Sequence, residues 1–244
     1  MTRPLISCLM ATGNRPGFVR QLLRCFARQT YADRELIVAD DGERPVGRLC
    51  RDVPGVRYLR LTQPATMGTK LNLAAEAARG AILHKMDDDD FYHADFLATS
   101  AAALPRDREN VVAARCCFLV LLCGDPNLRH SGHGWKAGGT LCFDRAMWRR
   151  RPFRDVPRSV DSWFLRDHGP EIVRVCRAEQ YILVRHGRNT WQEVTTGNTD
   201  DYFRGRPMYE RPLRDLVPRQ DWRFYSGLER VHCSAANGGG PWLP

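Results

Sequence analysis

Apolar runs alternate with amphipathic segments through the first part of the chain, and this alternation limits the possible folds more than any other feature. The segment 17–29 has apolar side chains at helical spacing, and 69–79 is rich in Ala and Leu. Four short apolar runs have the character of buried parallel strands: 5–11, 35–42, 56–61 and 81–86. Alternating strands and helices form right-handed crossovers and a parallel sheet, so we predict an α/β fold with a Rossmann-like half.

The second half is less regular, and we predict that it forms a mixed lobe of the same domain. Its predicted elements are a helix at 94–104, a strand at 110–122, a strand leading into a helix at 141–148, a helix at 159–167, and strands at 172–177 and 181–186. We predict a single domain over 1–230 with a flexible tail at 231–244. Within it we distinguish a first half at 1–92, a second half at 93–190 and a C-terminal extension at 191–230.

Composition restricts the class of protein. A hydrophobic fraction of 43% is enough for a real core and argues against global disorder. The net charge of +9 favours anionic partners such as nucleotides, nucleic acids or lipid surfaces, although scattered solvated arginines explain it as well. The nine cysteines include no C-x-x-C pair, so we expect buried free thiols in a reducing cytosol and no structural zinc site. No signal-like or membrane-spanning run is evident, so we expect a cytoplasmic protein with peripheral membrane contact left open.

Polar residues follow three of the predicted strands, at the sheet edge where ligands of α/β proteins bind. They are Thr12, the pair Asp40 and Asp41, and the run Asp87–Asp90. Four consecutive carboxylates repel one another, and Mg²⁺ or Mn²⁺ would relieve that repulsion; a solvated acidic turn is the alternative. Lys70, at the start of a predicted helix, suits a diphosphate, although a solvated lysine is equally ordinary.

Three segments in this order carry a family resemblance: ATGNRP, ELIVADDG and GTKLNLAAEAARGAILHKMDDDDFY. They resemble the inverting family 2 glycosyltransferases of the GT-A fold, which have a T-x-N-R-like turn, a V-D-D-G strand end and a D-x-D motif. The spacing of the two acidic sites also matches. The resemblance is firm over 4–95 and looser over 135–190.

The resemblance implies a role for each matching residue of the donor side. Thr12 and Asp40 would hold the nucleobase, with Asn14 and Arg15 beside them. Lys70 would face the diphosphate, Asp87 and Asp88 would lie near the ribose and sugar, and Asp89 would bind Mn²⁺ or Mg²⁺. Gly13 stands where the family often has an aromatic residue, so base stacking is not expected there.

The acceptor side is matched by two further segments. GWKAGGTLCFDRAMW resembles the family's glycine-containing acceptor loop, which assigns Trp135, Gly138 and Gly139 to the acceptor. SVDSWFL resembles the segment that carries the general base, which assigns that role to Asp161, although Val160 replaces the usual preceding acid.

Other residues of the second half have roles that the sequence leaves open. His186 could complete the metal shell, contact the diphosphate or be structural. The nearby Arg185, Arg188 and Asn189 could assist the phosphates. His130 and His133 have a spacing that could bind metal, but a flexible acceptor loop explains them better. Three tryptophans could form a sugar platform or simply pack: Trp135, Trp163 and Trp191.

These observations favour a glycosyltransferase that moves a sugar from a nucleoside-diphosphate donor, with uridine favoured, to an acceptor hydroxyl with inversion. The acceptor could be a glycan, a lipid-linked saccharide, a protein or a small molecule, and no nucleic-acid partner is expected. The alternatives are a nucleotidyltransferase of related fold and a basic, non-catalytic nucleic-acid-binding module. A membrane-surface enzyme is a further possibility, because 206–225 mixes Arg with aromatic residues.

Overall fold

The computed structural model describes residues 3–122, 124–187, 189–191, 193–194 and 197–235. The strands are β1 (Ile6–Thr12), β2 (Arg34–Asp40), β3 (Val56–Arg60), β4 (Ile82–Lys85), β5 (Phe91–Tyr92), β6 (Val111–Arg115), β7 (Leu119–Leu122), β8 (Arg129–His130), β9 (Cys142–Asp144), β10 (Glu171–Val175), β11 (Tyr181–Arg185), β12 (Glu193–Val194) and β13 (Gly197–Asn198). The helices are α1 (Pro16–Ala27), α2 (Gly47–Cys50), α3 (Met67–Ala77), α4 (Phe96–Ala103), α5 (Arg145–Arg150), α6 (Val160–His168), α7 (Thr199–Arg204), α8 (Leu213–Leu216) and α9 (Arg219–Ala235). Short 3₁₀ turns lie at Gly138–Thr140 and Ala178–Gln180.

A seven-stranded sheet with the order β10-β6-β9-β4-β1-β2-β3 forms the centre of the fold. Strands β3, β2, β1 and β4 form one parallel group, and β6 and β10 form another. Strand β9 alone joins the two parallel groups, antiparallel to both β4 and β6. Apolar side chains on both faces are buried, which is why the strands have continuous apolar runs. The α/β prediction, with a mostly parallel sheet flanked by helices, is confirmed.

The predicted strand at 110–122 is wrong in one respect, because the segment forms two strands in different sheets. Strand β6 belongs to the central sheet, whereas β7 pairs with β11 in a second sheet of order β5-β11-β7-β8. The break follows Arg115, whose guanidinium is buried over the ring of Phe96 and donates to Gln180 Oε1. An apolar run conceals such a change of sheet, because both strands are buried.

Asn14 lies in the turn between β1 and α1 and does not cap the helix. Helix α1 starts at Pro16, and its cap position is Arg15, without a side-chain hydrogen bond. Asn14 has a left-handed backbone with φ of 58°, and its Oδ1 accepts from the amide of Arg44. Asn tolerates that conformation, so it fixes the turn and not the helix end.

The cysteines do not all remain free thiols, contrary to expectation. Cys116 and Cys176, the residues directly after β6 and β10, form a disulfide, and their Cα atoms are 5.4 Å apart. The two strands are parallel neighbours, so their following residues are brought together although 60 positions separate them. Five free cysteines are buried: Cys8, Cys25, Cys50, Cys117 and Cys142. The side chain of Cys233 lies outside the described part of the structure. Cys123 lies outside the described residues.

The predicted tail at 231–244 starts within helix α9, which continues to Ala235; positions 236–244 lie outside the described residues. Of the helices that the structure describes, none has the length and apolarity to cross a bilayer.

Candidate functional site

A cavity of about 760 Å³ opens at the carboxyl ends of β1 and β4. Most residues assigned from the sequence line this one cavity: Thr12, Asn14, Arg15, Lys70, Asp87, Asp88, Asp89, Trp135, Gly138, Gly139 and Asp161. Asp40 and His186 are not among the lining residues. The fold thus brings the residues predicted for the donor and for the acceptor side to a common space.

Asp88 is tied to the end of β1. Thr12 Oγ1 donates to Asp88 Oδ2 at 2.6 Å, and Arg15 Nη1 donates to Asp88 Oδ1 at 2.9 Å. Burial raises the pKa of Asp88, while the Arg15 charge acts in the opposite direction. The two chain segments therefore form one polar wall, in which both carboxylate oxygens of Asp88 have donors.

Asp40 and Asp41 face different environments. Asp40 is fully buried and accepts from the amides of Gly42 and Val46 and from the Tyr58 hydroxyl, at 2.8 to 3.0 Å. Asp41 lines the cavity instead. Successive side chains of an extended chain point in opposite directions, so only one of the two can reach the ligand side. The structure thus places Asp40, the residue assigned to the nucleobase, in a structural hydrogen-bond cluster outside the cavity.

Lys70 lies on the cavity wall beside Asp41. Its Nζ donates to Asp41 Oδ1 at 2.9 Å and to the carbonyl oxygen of Thr12 at 3.0 Å. Although burial opposes charge on Asp41, hydrogen bonds from the Ala65 amide and from Lys70 lower its pKa. Lys70 is in the first turn of α3, which Thr66 caps by accepting from the Thr69 amide. A fixed cation at a helix N-terminus suits anionic phosphate groups.

Asp89 has cationic and polar neighbours from both halves of the chain. Its Oδ2 lies 2.9 Å from His186 Nε2, 3.1 Å from Arg15 Nη1 and 3.3 Å from Asn189 Nδ2. Burial alone would raise its pKa, but the His186 hydrogen bond and the Arg15 charge lower it. A carboxylate beside an imidazole offers one oxygen and one nitrogen ligand, and this pair fits a divalent ion. Water molecules and phosphate oxygens would complete the coordination shell of that ion.

Asp90 has a structural environment. It accepts from the Tyr181 hydroxyl and, at 2.9 Å, from the Val184 amide, so it joins the Asp run to β11. Burial, followed by the charges of Asp89 and Asp87, raises the pKa of Asp90 well above its usual value. Asp90 also lines the cavity, but both of its carboxylate oxygens already accept hydrogen bonds from residues of β11.

Lys85 connects the Asp run electrostatically to the predicted base. The ammonium group is buried at the end of β4 and pairs with Asp87 Oδ1. Burial opposes its charge, but Asp87 and then Asp161 outweigh that cost and raise the pKa of Lys85. A buried lysine between two carboxylates keeps them close despite their mutual repulsion.

The glycines of the acceptor loop allow it to approach both carboxylates. A Cβ atom on Gly138 would collide with the carboxylate of Asp161, and one on Gly139 would lie 2.6 Å from Asp87 Oδ2. The Tyr92 hydroxyl holds the loop by donating to the Gly139 carbonyl oxygen at 3.0 Å. Glycine is needed here for close approach and not for an unusual backbone angle.

Two of the three tryptophans considered for a sugar platform line the cavity. The rings of Trp135 and Trp191 meet edge to face with centroids 5.8 Å apart. Trp163 is not among the lining residues; Arg154 and Arg166 stack over it.

The three residues near His186 that were predicted to assist the phosphates differ in where the structure places them. Arg185 and Asn189 line the cavity, and Arg185 also pairs with Asp200 at 2.6 Å, whereas Arg188 lies outside the described residues.

Lys85, Tyr92 and Tyr181 were not assigned from the sequence. Lys85 ends an apolar strand two residues before Asp87, and a lysine at that place is a usable signal. The tyrosines have no such signal, because their partners are set by tertiary contacts.

Comparison with known proteins agrees with this geometry. Residues 7–119 match the sequence model of a family described as glycosyl transferase family 2. Among curated proteins, none matches the chain.

Two similar solved structures are informative. The first is a fragment of S. aureus TarS in complex with UDP-GlcNAc, with 16% identity, a TM-score of 0.61, and coverage of 74% of this chain and 58% of that one. The second is the mannosyltransferase PcManGT of Pyrobaculum calidifontis in complex with GDP-Man and Mn²⁺, with 15% identity, a TM-score of 0.61, and coverage of 99% and 77%. This chain thus spans less than two thirds of the length of the TarS fragment, and at such identities the likeness shows the fold, which is GT-A.

Proposed function

Because residues 7–119 match glycosyl transferase family 2 and the chain has the GT-A fold, we propose that this protein transfers a sugar from a nucleoside-diphosphate donor to an acceptor hydroxyl. The observation that carries the proposal is that one cavity contains both the Asp87–Asp89 carboxylates and Asp161, from a separate helix. Structural neighbours bound to UDP-GlcNAc and GDP-Man support the class of donor.

The donor nucleotide would bind between β1 and α3. Asp41, and not Asp40, would accept the imide N–H of the base, because it is the carboxylate of the pair that lines the cavity. Lys70 would exchange part of its contact with Asp41 for the donor phosphates. Asp88, held by Thr12 and Arg15, would accept from a ribose hydroxyl. We favour a uridine diphosphate sugar.

Asp89 and His186 would hold a divalent cation, with manganese preferred over magnesium because an imidazole is one of the ligands. The bound ion would offset the negative charge of the leaving diphosphate. Arg15 contacts both Asp88 and Asp89, so it would keep the two carboxylates in position while the site fills.

Asp161 would act as the general base. It would take the proton of the acceptor hydroxyl as that oxygen attacks the anomeric carbon from the face opposite the diphosphate, which inverts the configuration. Gly138 leaves room for the carboxylate, and Lys85 attracts it electrostatically. Trp135 and Trp191 would offer apolar faces to the acceptor. The acceptor class stays open among glycans, lipid-linked saccharides, proteins and small molecules.

The test is product analysis with a panel of nucleotide sugars, Mn²⁺ and candidate acceptors. Wild-type protein should release a nucleoside diphosphate and yield a product of inverted configuration, whereas nucleotidyl transfer would release pyrophosphate. Asp161→Asn should lower kcat by at least about a hundredfold while nucleotide affinity is kept. Asp107→Asn, an exposed residue outside the cavity, is the matched control. Pyrophosphate release, or full activity of Asp161→Asn, would refute the proposal.

A further inference from the structure

A second group of potential metal ligands lies outside the cavity described above. Its members each offer one ligand atom, and these atoms all lie within 4.8 Å of one another: Cys116, Cys117, His133 and Cys176. The four residues come from three separate parts of the chain. A search of the sequence for C-x-x-C pairs therefore does not detect them. Neither the sugar transfer nor the donor metal uses any of these residues.

We propose that Cys116, Cys117, Cys176 and His133 form a tetrahedral site for a zinc-type divalent cation when the chain is reduced. Three thiolates and one imidazole are a ligand set that structural zinc sites use. Zinc–sulfur bonds of about 2.3 Å put tetrahedral ligand atoms about 3.8 Å apart, so only small side-chain shifts are needed from the present separations.

The fold holds the backbone of these ligands in place. Cys116 follows β6, and its amide donates to the Val175 carbonyl oxygen of β10, directly before Cys176. The Trp135 amide donates to the Cys116 carbonyl oxygen, which anchors the loop that carries His133. The ligand positions are therefore prepared by strand pairing before any ion binds.

Access and charge also suit an ion. His133 and Cys176 are exposed, so the site has an entry path from solvent, whereas Cys116 and Cys117 are buried. Three thiolates and a divalent ion leave one net negative charge. Arg115 lies close enough to Cys117 and to Arg177 for electrostatic interaction, so positive charge is available beside the site.

The disulfide between Cys116 and Cys176 is the oxidised alternative to the ion, since two of the four ligands are used by it. A phosphine reductant and water convert the disulfide into two thiols and a phosphine oxide. Binding of the ion then releases three thiol protons, one from each cysteine. The site would fasten β6 and β10 to the loop that brings Trp135 and Lys136 to the cavity.

The test uses the full chain, reduced with a phosphine, freed of metal by a chelator and titrated with Co²⁺ without oxygen. We expect one equivalent to give a thiolate-to-cobalt charge-transfer band and intense tetrahedral d–d bands, all lost when Zn²⁺ is added. Asp89 and His186 supply only oxygen and nitrogen, so the thiolate band cannot arise from the donor site. Zn²⁺ should also raise the melting temperature of the reduced chain.

Two variants separate this site from a simple disulfide. Cys117→Ser and His133→Ala leave Cys116 and Cys176 able to form their disulfide. Each variant should nevertheless lower the affinity for Co²⁺ at least about tenfold, because loss of even an outer-shell partner lowers metal affinity by about that factor. Cys50→Ser, a buried cysteine outside the cluster, should bind as wild type does. Absence of the thiolate band in folded, reduced wild-type protein, or unchanged spectra in both variants, would overturn the proposal.

Discussion

The Nζ atom of Lys70 lies 2.9 Å from Asp41 Oδ1, so a cation from the first turn of α3 and a carboxylate that follows β2 are paired on the wall of the cavity. Lys70 also donates to the carbonyl oxygen of Thr12, which joins three chain segments at one point. A donor nucleotide bound as proposed would meet a preformed positive charge and a carboxylate acceptor side by side.

Asp41 and Asp40 should respond differently to the same change. We expect Asp41→Asn to weaken nucleoside-diphosphate binding about tenfold or more, since a hydrogen bond to a charged group contributes about 1.5–3 kcal/mol. Asp40→Asn should instead lower the free energy of unfolding, because its oxygens serve two buried amides and the Tyr58 hydroxyl. Calorimetric titration and thermal unfolding distinguish the two; the reverse pattern would restore Asp40 as the base contact.

The donor metal should depend on both Asp89 and His186. Asp89→Asn and His186→Ala should each lower Mn²⁺ affinity in the presence of nucleotide at least about tenfold, because each removes a ligand and even an outer-shell partner is worth that much. The signal of free Mn²⁺ in electron paramagnetic resonance measures this directly. His93→Ala changes a histidine outside the cavity and should have no effect. Wild-type affinity in both site variants would show that the ion binds elsewhere.

Gly138 should contribute to turnover, because it leaves room for the carboxylate of Asp161, the proposed base. In Gly138→Ala the new methyl group collides with the Asp161 carboxylate, so the base is displaced while the donor side is unchanged. We expect kcat to fall at least about tenfold, since positioned bases contribute about 10²–10⁴-fold, with little change in the KM for donor. Gly227→Ala is the control, because a Cβ there meets no atom within 4 Å. A variant with wild-type kcat would mean that Asp161 does not act from this position.

His84 predicts a pH dependence of stability. It is fully buried, its Nδ1 donates to the Lys85 carbonyl oxygen, and Nε2 lies 3.3 Å from Ser100 Oγ. Burial lowers the pKa of His84 to about 3, from about 6.5 in an unfolded chain.

The unfolded chain therefore binds this proton first as the pH falls. The contribution of His84 is complete above about pH 6.5 and is lost as the pH decreases toward 3, by at most about 5 kcal/mol. Urea unfolding of wild type and His84→Asn at several pH values measures it, and the variant should show the smaller loss. Equal slopes would show that His84 is not held neutral.

Local sequence patterns were sufficient to predict several strands and helices and the order of the polar residues at the strand ends. Strands β1, β2 and β4 are short apolar runs with Thr12, Asp40 or the Asp run at their ends, and such runs follow from local sequence. The amphipathic spacing before β2 likewise identified α1. These features depend on neighbours along the chain, so the sequence alone indicates them.

Features that depend on distant contacts could not be predicted in the same way. The inward direction of Asp40 is supported by Tyr58, which lies on the neighbouring strand β3. The division between β6 and β7 depends on where Arg115 is buried, and the pairing of Cys116 with Cys176 depends on β6 lying beside β10. In each case the deciding partner is many residues away, and hydrophobic periodicity carries no information about it.

The most direct test of the central proposal is a binding measurement. Melting temperatures should be recorded with UDP, GDP, ADP and CDP, each with and without Mn²⁺, for wild type and Asp89→Asn. A ligand that binds only the folded chain at about 100 times its Kd adds about 2.7 kcal/mol of stability. We predict a clear rise for at least one nucleoside diphosphate, largest for UDP, that requires Mn²⁺ and is absent in Asp89→Asn. If no nucleotide raises the melting temperature of the wild-type protein with Mn²⁺, the proposed donor site is contradicted.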